Sequence, residues 1–169
     1  KKQEAILGVF VDVIAEFEKE EALSRKARMD ALTKVYNSGA TREAIAKFIL
    51  QIGEREHDAL LIMDVDKFKQ INDEHGHQAG DQTLQLLTKS VKFAVRETDF
   101  IGRLGGDEFC VYLHAVPSYR FVCNVCERIN EAVEKTVTKE KIGTEATVSI
   151  GGTMVCKGDD FAAAYARAD

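Results

Sequence analysis

Residues 59–66 read Ala-Leu-Leu-Ile-Met-Asp-Val-Asp, an apolar run that ends abruptly in charge. A short continuous apolar run of this kind predicts a β-strand that is buried on both faces for most of its length. The two aspartates fall where the strand ends. The strand therefore anchors the expected fold, and its charged end is the first candidate for a functional site.

Helix and strand patterns lie on both sides of this strand. One helix is predicted with Thr41 as its N-cap and Gly53 as its stop, and another is predicted to begin at Asp81, whose carboxylate suits the positive end of a helix dipole. The remaining patterns are strands at 99–103 and 108–115 around a turn at 104–107, a helix at about 118–137, a strand at 146–155 and the start of a helix at 159–169. The order strand, helix, strand, strand, helix, strand is the ferredoxin-like βαββαβ order, which predicts an α/β (α+β) fold with an antiparallel or mixed central sheet and helices on one face.

A separate amphipathic helix is predicted over residues 4–29. Its apolar stripe recurs at spacings of three and four and consists of Ile6, Val9, Phe10, Val13, Ile14 and Phe17. Such a stripe needs a partner, which is either a second copy in a two-stranded coiled coil or the chain's own domain. The expected organisation is an N-terminal helix, a candidate coiled coil, over 1–29 and a globular domain over 30–169.

Composition excludes several classes of protein. With 23 basic and 28 acidic residues, the net charge of −5 argues against a nucleic-acid-binding surface. No apolar run approaches the roughly 20 residues that cross a bilayer. The cysteines at 110, 123, 126 and 156 are expected to be reduced packing thiols rather than zinc ligands, which favours a cytoplasmic setting. Because the first residue is Lys1, the sequence is expected to be part of a larger protein.

Two pairs of carboxylates are the candidates for chemistry. Asp64 and Asp66 lie two residues apart on the strand and therefore point to the same side. Asp107 and Glu108 follow two glycines in a predicted hairpin, where the backbone can approach a ligand closely. Oxygen ligands of this kind favour magnesium or manganese. Ion pairing at the first pair and a plain acidic turn at the second remain the structural alternatives.

The second pair belongs to a longer pattern. The sequence contains Gly105-Gly106-Asp107-Glu108-Phe109, Asp64-Val65-Asp66-Lys67-Phe68-Lys69-Gln70-Ile71-Asn72-Asp73, Gly76-His77 and Gly80-Asp81, with Arg103-Leu104 before the first motif and Val148-Ser149-Ile150-Gly151 after it. Together these motifs resemble the GGDEF family, the diguanylate cyclases that join two GTP molecules into cyclic di-GMP. The resemblance covers roughly residues 30–169 and implies a fold similar to the palm of nucleotidyl cyclases.

The resemblance implies a role for each motif. Asp64, the backbone carbonyl of Val65, and Asp107 would hold Mg²⁺ or Mn²⁺, with two ions for each GTP. Asp107 or Glu108 would assist deprotonation of the attacking hydroxyl, and Lys69 would act as a catalytic cation on the phosphates. The residues implied to contact GTP are Phe68, Lys69, Asn72, His77, Asp81, Gly105 and Gly106, of which Asn72 and Asp81 would recognise the guanine.

The resemblance also implies regulation and a partner. Arg96 and Asp99 match the family's R-x-x-D product-inhibition motif and would bind cyclic di-GMP. Because each copy would carry one GTP, the enzyme would act as a homodimer held by the N-terminal helix. The implied function is a metal-dependent, product-inhibited diguanylate cyclase. The alternative is a weak or inactive GGDEF module that binds GTP or cyclic di-GMP as a regulatory receptor.

The match is weaker at both ends. Residues 30–39 align with the family's D-x-L-T-G-L-x-N-R-R pattern, but Lys34 replaces Gly and Ser38-Gly39 replace Arg-Arg, while Thr33 and Asn37 are retained. The chain ends at Asp169, before the family's A-L-Y-x-A-K helix. These departures are expected to affect the packing of the first turn and the binding of phosphate.

Overall fold

The computed structural model describes residue 16 and residues 19–54, 56–140 and 146–169, with the backbone alone at 137–140. Helical residues 19–28 (α1) lead into a turn at 30–37, here called the opening turn. The elements that follow are α2 (Ser38–Gln51), β1 (Asp58–Val65), α3 (Phe68–His75), α4 (His77–Ala94), β2 (Phe100–Gly105), β3 (Glu108–Leu113), α5 (Tyr119–Glu140), β4 (Val148–Val155) and α6 (Phe161–Ala168).

The four strands form one sheet in the order β2-β3-β1-β4. Every neighbouring pair is antiparallel, and the register pairs Met63 with Phe109 and Asp64 with Ser149. The predicted ferredoxin-like order is confirmed, and the sheet is antiparallel rather than mixed. The central strand β1 is buried at every position except Asp64, as expected for an apolar run that ends in charge.

Helices cover both faces of the sheet, so the prediction of helices on one face was wrong. Side chains of α4 and α5, such as Leu84 and Ile129, pack against one face together with Leu61 and Phe109 of the strands. Helices α2 and α6 cover the other face, where Ile45 packs against the even-numbered residues of β1. The strand is apolar on both sides because each side meets its own layer of helices.

Two predicted helix starts were also wrong. Helix α2 begins at Ser38 and is capped by Asn37, whose Oδ1 accepts from the Ala40 N–H at 3.0 Å, while the predicted cap Thr41 is fully buried. Helix α4 begins at His77, directly after Gly76 at φ 84°, so Asp81 lies inside the helix. The single glycine between α3 and α4 divides two helices that together occupy the place of the first helix in the ferredoxin-like order.

Only part of the N-terminal prediction can be compared with the structure. Residues 19–28 are helical, whereas the whole apolar stripe from Ile6 to Phe17 lies outside the described residues, and the coiled coil stays a prediction. Within the described part of the chain, no helix is both long and apolar enough to cross a membrane. Cys110 is buried and Cys126 packs against the core, while Cys156 is exposed.

Candidate functional site

Asp64 and Asp107 lie together where β1 ends and the β2–β3 hairpin turns, and Glu108 is the next residue of the hairpin. Asp64 is the penultimate residue of β1, and the pairing of Met63 with Phe109 places Glu108 and Asp107 beside it. The Asp107 carboxyl group lies close enough to the Asp64 carboxyl group to raise its pKa. We call Asp64, Asp107 and Glu108 the carboxylate cluster. The structure thus brings together the strand aspartate and the hairpin aspartate that the sequence singled out.

The cluster is electrostatically unfavourable as it stands. Burial raises the pKa of Asp64, and the neighbouring charges of Asp107 and Glu108 raise it further. A group whose charged form is destabilised in this way gains from any cation placed beside it. The cluster therefore has the charge and the oxygen chemistry of a site for a divalent cation.

Asp66 has very different surroundings. Its carboxylate accepts hydrogen bonds from the hydroxyls of Thr147 at 2.6 Å and Ser149 at 2.7 Å, on or next to β4. The two hydrogen bonds hold the pKa of Asp66 below its ordinary value, and the bond from Ser149 has the larger effect. Asp66 is therefore stabilised as a carboxylate by the protein itself, which supports a structural role.

Arg103 fixes the turn that carries Asp107. Its Nε and Nη2 donate to the carbonyl oxygen of Gly106 at 2.9 and 2.6 Å, and its Nη1 donates to Asp30 Oδ1 at 3.0 Å. A Cβ at Gly105 or Gly106 would meet nothing within 4 Å, so this backbone is open to a ligand. The sequence pattern included Arg103 without a role. In the structure its guanidinium links the β2–β3 turn at Gly106 to the opening turn at Asp30.

The opening turn is held around Asp30. The N–H and the hydroxyl of Thr33 donate to Asp30 Oδ1 at 2.8 and 2.6 Å. Although burial alone would raise the pKa of Asp30, these bonds and Arg103 hold it below the ordinary value. Lys34, which replaces the family's glycine, has φ 55°, in the left-handed region that favours glycine. The atypical residue therefore stands in a backbone conformation that glycine adopts without strain.

The residues expected to contact the nucleotide lie on α3 and at the start of α4. The Phe68 ring packs against the core, whereas the side chains of Lys69, His77 and Asp81 are exposed. Asn72 lies against Gly80, where a Cβ would stand 2.1 Å from the Asn72 Oδ1. Gly80 is therefore required for the position of Asn72. Because α3 directly follows β1, all these residues lie on the segment that leaves the carboxylate cluster.

Arg96 and Asp99 lie at the opposite end of the sheet, just before β2. They line a cavity of about 600 Å³ with the aromatic side chains Tyr36, Phe48 and Phe100 and the cations Lys34 and Lys92. The Arg96 guanidinium stands 4.7 Å from the centre of the Phe121 ring. Asp99 accepts from the N–H groups of Arg96 at 2.9 Å and His114 at 3.3 Å. The R-x-x-D residues therefore stabilise their own turn and also line a cavity with anion-binding side chains.

One side chain at the cluster had no signal in the sequence. Tyr165 of α6 donates a hydrogen bond from its hydroxyl to Glu108 Oε1. This bond raises the pKa of Tyr165 to about 12. Tyr165 lies outside every motif quoted above, and only the packing of α6 on the sheet brings it to Glu108.

The chain is similar to proteins of one family over most of its length. The family model described as "Diguanylate cyclase, GGDEF domain" matches residues 27–169. Among curated proteins, Diguanylate cyclase DosC of Escherichia coli (strain K12) is 36% identical over 146 residues, which are 80% of this chain and 30% of DosC. Probable diguanylate cyclase DgcJ of the same organism is 33% identical over 123 residues, covering 72% of this chain and 24% of DgcJ. The chain thus spans about a quarter to a third of these relatives.

A solved structure shares the fold. The coiled coil and GGDEF domain of DgcB from Caulobacter crescentus, in complex with c-di-GMP, matches with a TM-score of 0.85 at 26% identity. The match covers 100% of this chain and 91% of that chain. The antiparallel sheet and its helices on both faces are therefore a known arrangement.

Proposed function

The chain belongs to the GGDEF family of diguanylate cyclase domains, and on that premise we propose that it condenses two GTP molecules into cyclic di-GMP and releases pyrophosphate. The observation that carries this proposal is the position of Asp64 at the end of β1, next to the β2–β3 turn that holds Asp107. The proposal covers this domain alone and includes a cytoplasmic location, where GTP is available and cysteines stay reduced.

The residues present fit a magnesium or manganese ion. Within the ranges that the structure describes, no three His, Cys, Asp or Glu side chains form a ready-made metal site. Mg²⁺, however, is commonly bound through one or two carboxylates together with substrate phosphates. Asp64, Asp107 and the backbone carbonyl of Val65 would provide that partial set. A bound ion would neutralise charge on the triphosphate as pyrophosphate leaves.

Groups of the protein itself would position the two nucleotides and remove the proton from the attacking hydroxyl. The 3′-oxygen of one GTP attacks the α-phosphorus of the other, the bond from that phosphorus to the leaving pyrophosphate breaks, and the 3′-hydroxyl proton passes to a base. Asp107 or Glu108 would accept that proton. Lys69 and the open backbone at Gly105 and Gly106 would contact the phosphates. Repeating the step with exchanged roles closes the ring.

Guanine would be selected on α3 and α4. Asp81 would accept from the ring N–H and the amino group of guanine, a donor pair that adenine does not offer in this arrangement. Asn72, held against Gly80, would bind the same base, and His77 would contact the sugar or phosphate end. Exposure of Asp81 and His77 and the fixed place of Asn72 support these roles.

Two copies are needed, because each domain would carry only one of the two nucleotides. The helix over residues 1–29 would join them and raise their effective concentration. Cyclic di-GMP would bind in the cavity with Arg96 and Asp99 and inhibit the enzyme. The cations around this cavity support binding of an anionic product.

The proposal is tested by incubating the protein with GTP and Mg²⁺ and assaying pyrophosphate and cyclic di-GMP. The expected result is both products from the wild type and neither from Asp107→Ala. Binding of GTP without turnover would instead identify a receptor module. Absence of both turnover and nucleotide binding would contradict either role for the pocket.

A further inference from the structure

Among the residues that the structure describes, Glu108 is the one member of the carboxylate cluster with a side-chain hydrogen-bond donor from another element. It opens β3 and is half-buried on the sheet face covered by α2 and α6. The Tyr165 hydroxyl donates to its Oε1. Within the described ranges, Oε1 has a donor from the protein and Oε2 has none, so Oε2 is open to another partner.

The hydroxyl comes from a helix that is fixed at both ends. Asp160 caps α6 by accepting from the Ala163 N–H at 2.7 Å. Near the other end, Arg167 donates to both carboxylate oxygens of Asp159 at 3.0 and 2.8 Å. The helix also lies so close to β4 that a Cβ at Gly151 would stand 1.8 Å from the carbonyl oxygen of Ala168. The position of Tyr165 is thus set by packing rather than by the bond to Glu108.

A tyrosine hydroxyl is also a suitable donor for a carboxylate at a cation site. An Arg or Lys at this place would neutralise Glu108 and compete with a cation for the cluster. A phenol hydroxyl orients a carboxylate without adding charge, because it donates as a neutral group. Partners of this sort commonly orient the groups around a metal and strengthen its binding.

We propose that Tyr165 is a positioning residue for the reaction, which holds Glu108 in one orientation so that its free oxygen serves the cation and the nucleotide at the carboxylate cluster. The inference rests on the proposed function, because it assigns a use to Glu108 within that site. It names a residue of α6 that belongs to none of the motifs identified in the sequence.

The test compares Tyr165→Phe with wild type by calorimetric titration of a GTP analogue whose α–β bridging oxygen is replaced by methylene. Each titration is done in saturating Mn²⁺ and again in EDTA. Tyr165→Phe keeps the ring beside Phe161 and removes only the donor. We expect affinity in Mn²⁺ to fall about tenfold and affinity in EDTA to stay the same. Steady-state assays should show a larger loss in kcat than in GTP binding.

Two further variants separate positioning from packing. Tyr119→Phe removes a hydroxyl from a tyrosine that is 66% exposed at the start of α5 and should change neither affinity. In a Glu108→Gln background, Tyr165→Phe should cause no additional loss of Mn²⁺-dependent affinity, because its effect passes through the carboxylate.

The inference is overturned if Tyr165→Phe leaves Mn²⁺-dependent affinity and kcat unchanged, or if it weakens binding equally in Mn²⁺ and in EDTA. Its failure is distinguishable from failure of the proposed function. A protein that binds the analogue through Mn²⁺ and Tyr165 but makes no cyclic di-GMP would refute the cyclase activity alone.

Discussion

Asp64 and Asp66 stand two residues apart at the end of β1, yet their surroundings are opposite. Asp64 faces Asp107 and Glu108, and its pKa is raised by burial and by these like charges. Asp66 accepts from the hydroxyls of Ser149 and Thr147, and its pKa is lowered. One carboxylate is stabilised by the fold, and the other is destabilised by it.

The difference shows that two carboxylates at the end of one strand can have different roles, one in stability and the other in function. A carboxylate whose hydrogen bonds are satisfied contributes to stability and needs no ligand. A cluster of carboxylates that repel one another costs stability until a cation arrives, which is typical of functional sites. The Asp-Val-Asp spacing by itself gives no reason to treat the two residues differently; only the family resemblance implied a metal role for Asp64 and none for Asp66.

The largest expected difference between the two aspartates is in activity. Asp64→Asn should lower kcat for cyclic di-GMP formation by about a thousandfold, because it removes a carboxylate from the cation site. Asp66→Asn should lower kcat by less than about tenfold, since the amide still accepts a hydroxyl hydrogen bond. Equal losses in the two variants, measured at saturating GTP and Mg²⁺, would remove the functional distinction.

A smaller difference of opposite sign is expected in stability. Asp66→Ala removes two hydrogen bonds to a charged acceptor and should lower the free energy of unfolding by about 1–2 kcal/mol. Asp64→Asn relieves the repulsion from Asp107 and Glu108 and should raise the free energy of unfolding by less than about 1 kcal/mol. Urea unfolding at neutral pH without metal measures both changes. The account is contradicted if both substitutions destabilise the protein.

The stability changes caused by the Asp64 and Asp66 substitutions should also differ in their dependence on pH. The folded pKa of Asp66 is depressed, so its contribution to stability is present above the unfolded pKa of about 4 and is lost as pH falls through the folded pKa. The folded pKa of Asp64 is raised, so its penalty is present above that pKa and is relieved as pH falls through it. The gain from Asp64→Asn should therefore vanish at a higher pH than the loss from Asp66→Ala. Unfolding curves at a series of pH values test this order.

The smallest expected effect comes from backbone strain rather than charge. Lys34 has φ 55°, which costs roughly 1–2 kcal/mol for a residue with a Cβ. Glycine would remove this cost but add about 0.5–1 kcal/mol through its freedom in the unfolded chain. Lys34→Gly should therefore raise the free energy of unfolding by about 0.75 kcal/mol, the difference between the midpoints of these two ranges. Lys34→Ala, which keeps the Cβ, is the control and should give no such gain.

Much of the fold could be predicted from the sequence. The apolar run before Asp64 predicts a central strand, and the order of patterns predicts the βαββαβ arrangement, both confirmed. The coverage of both faces was missed, although burial of β1 on both sides already required it. The start of α2 was missed because Asn37 and Thr41 are both good caps, and only the fold shows that Thr41 packs against Gly102.

Only part of the candidate site could be predicted from the sequence. The match over residues 27–169 confirms the family resemblance, which implied that Asp64 and Asp107 belong to one site. The structure places the two residues together. The tasks of Arg103 and Tyr165 were not predictable, because their contacts join segments far apart in the chain. The roles of the individual site residues, and the dimer through residues 1–29, remain predictions.

All of the proposed chemistry requires that the carboxylate cluster hold a divalent cation beneath the nucleotide. The most direct measurement is anomalous scattering from Mn²⁺ in crystals grown with Mn²⁺ and the methylene-bridged GTP analogue. The account predicts a manganese peak within coordinating distance of both Asp64 and Asp107. A peak at Asp66 instead, or nucleotide density with no manganese at the cluster, would contradict it.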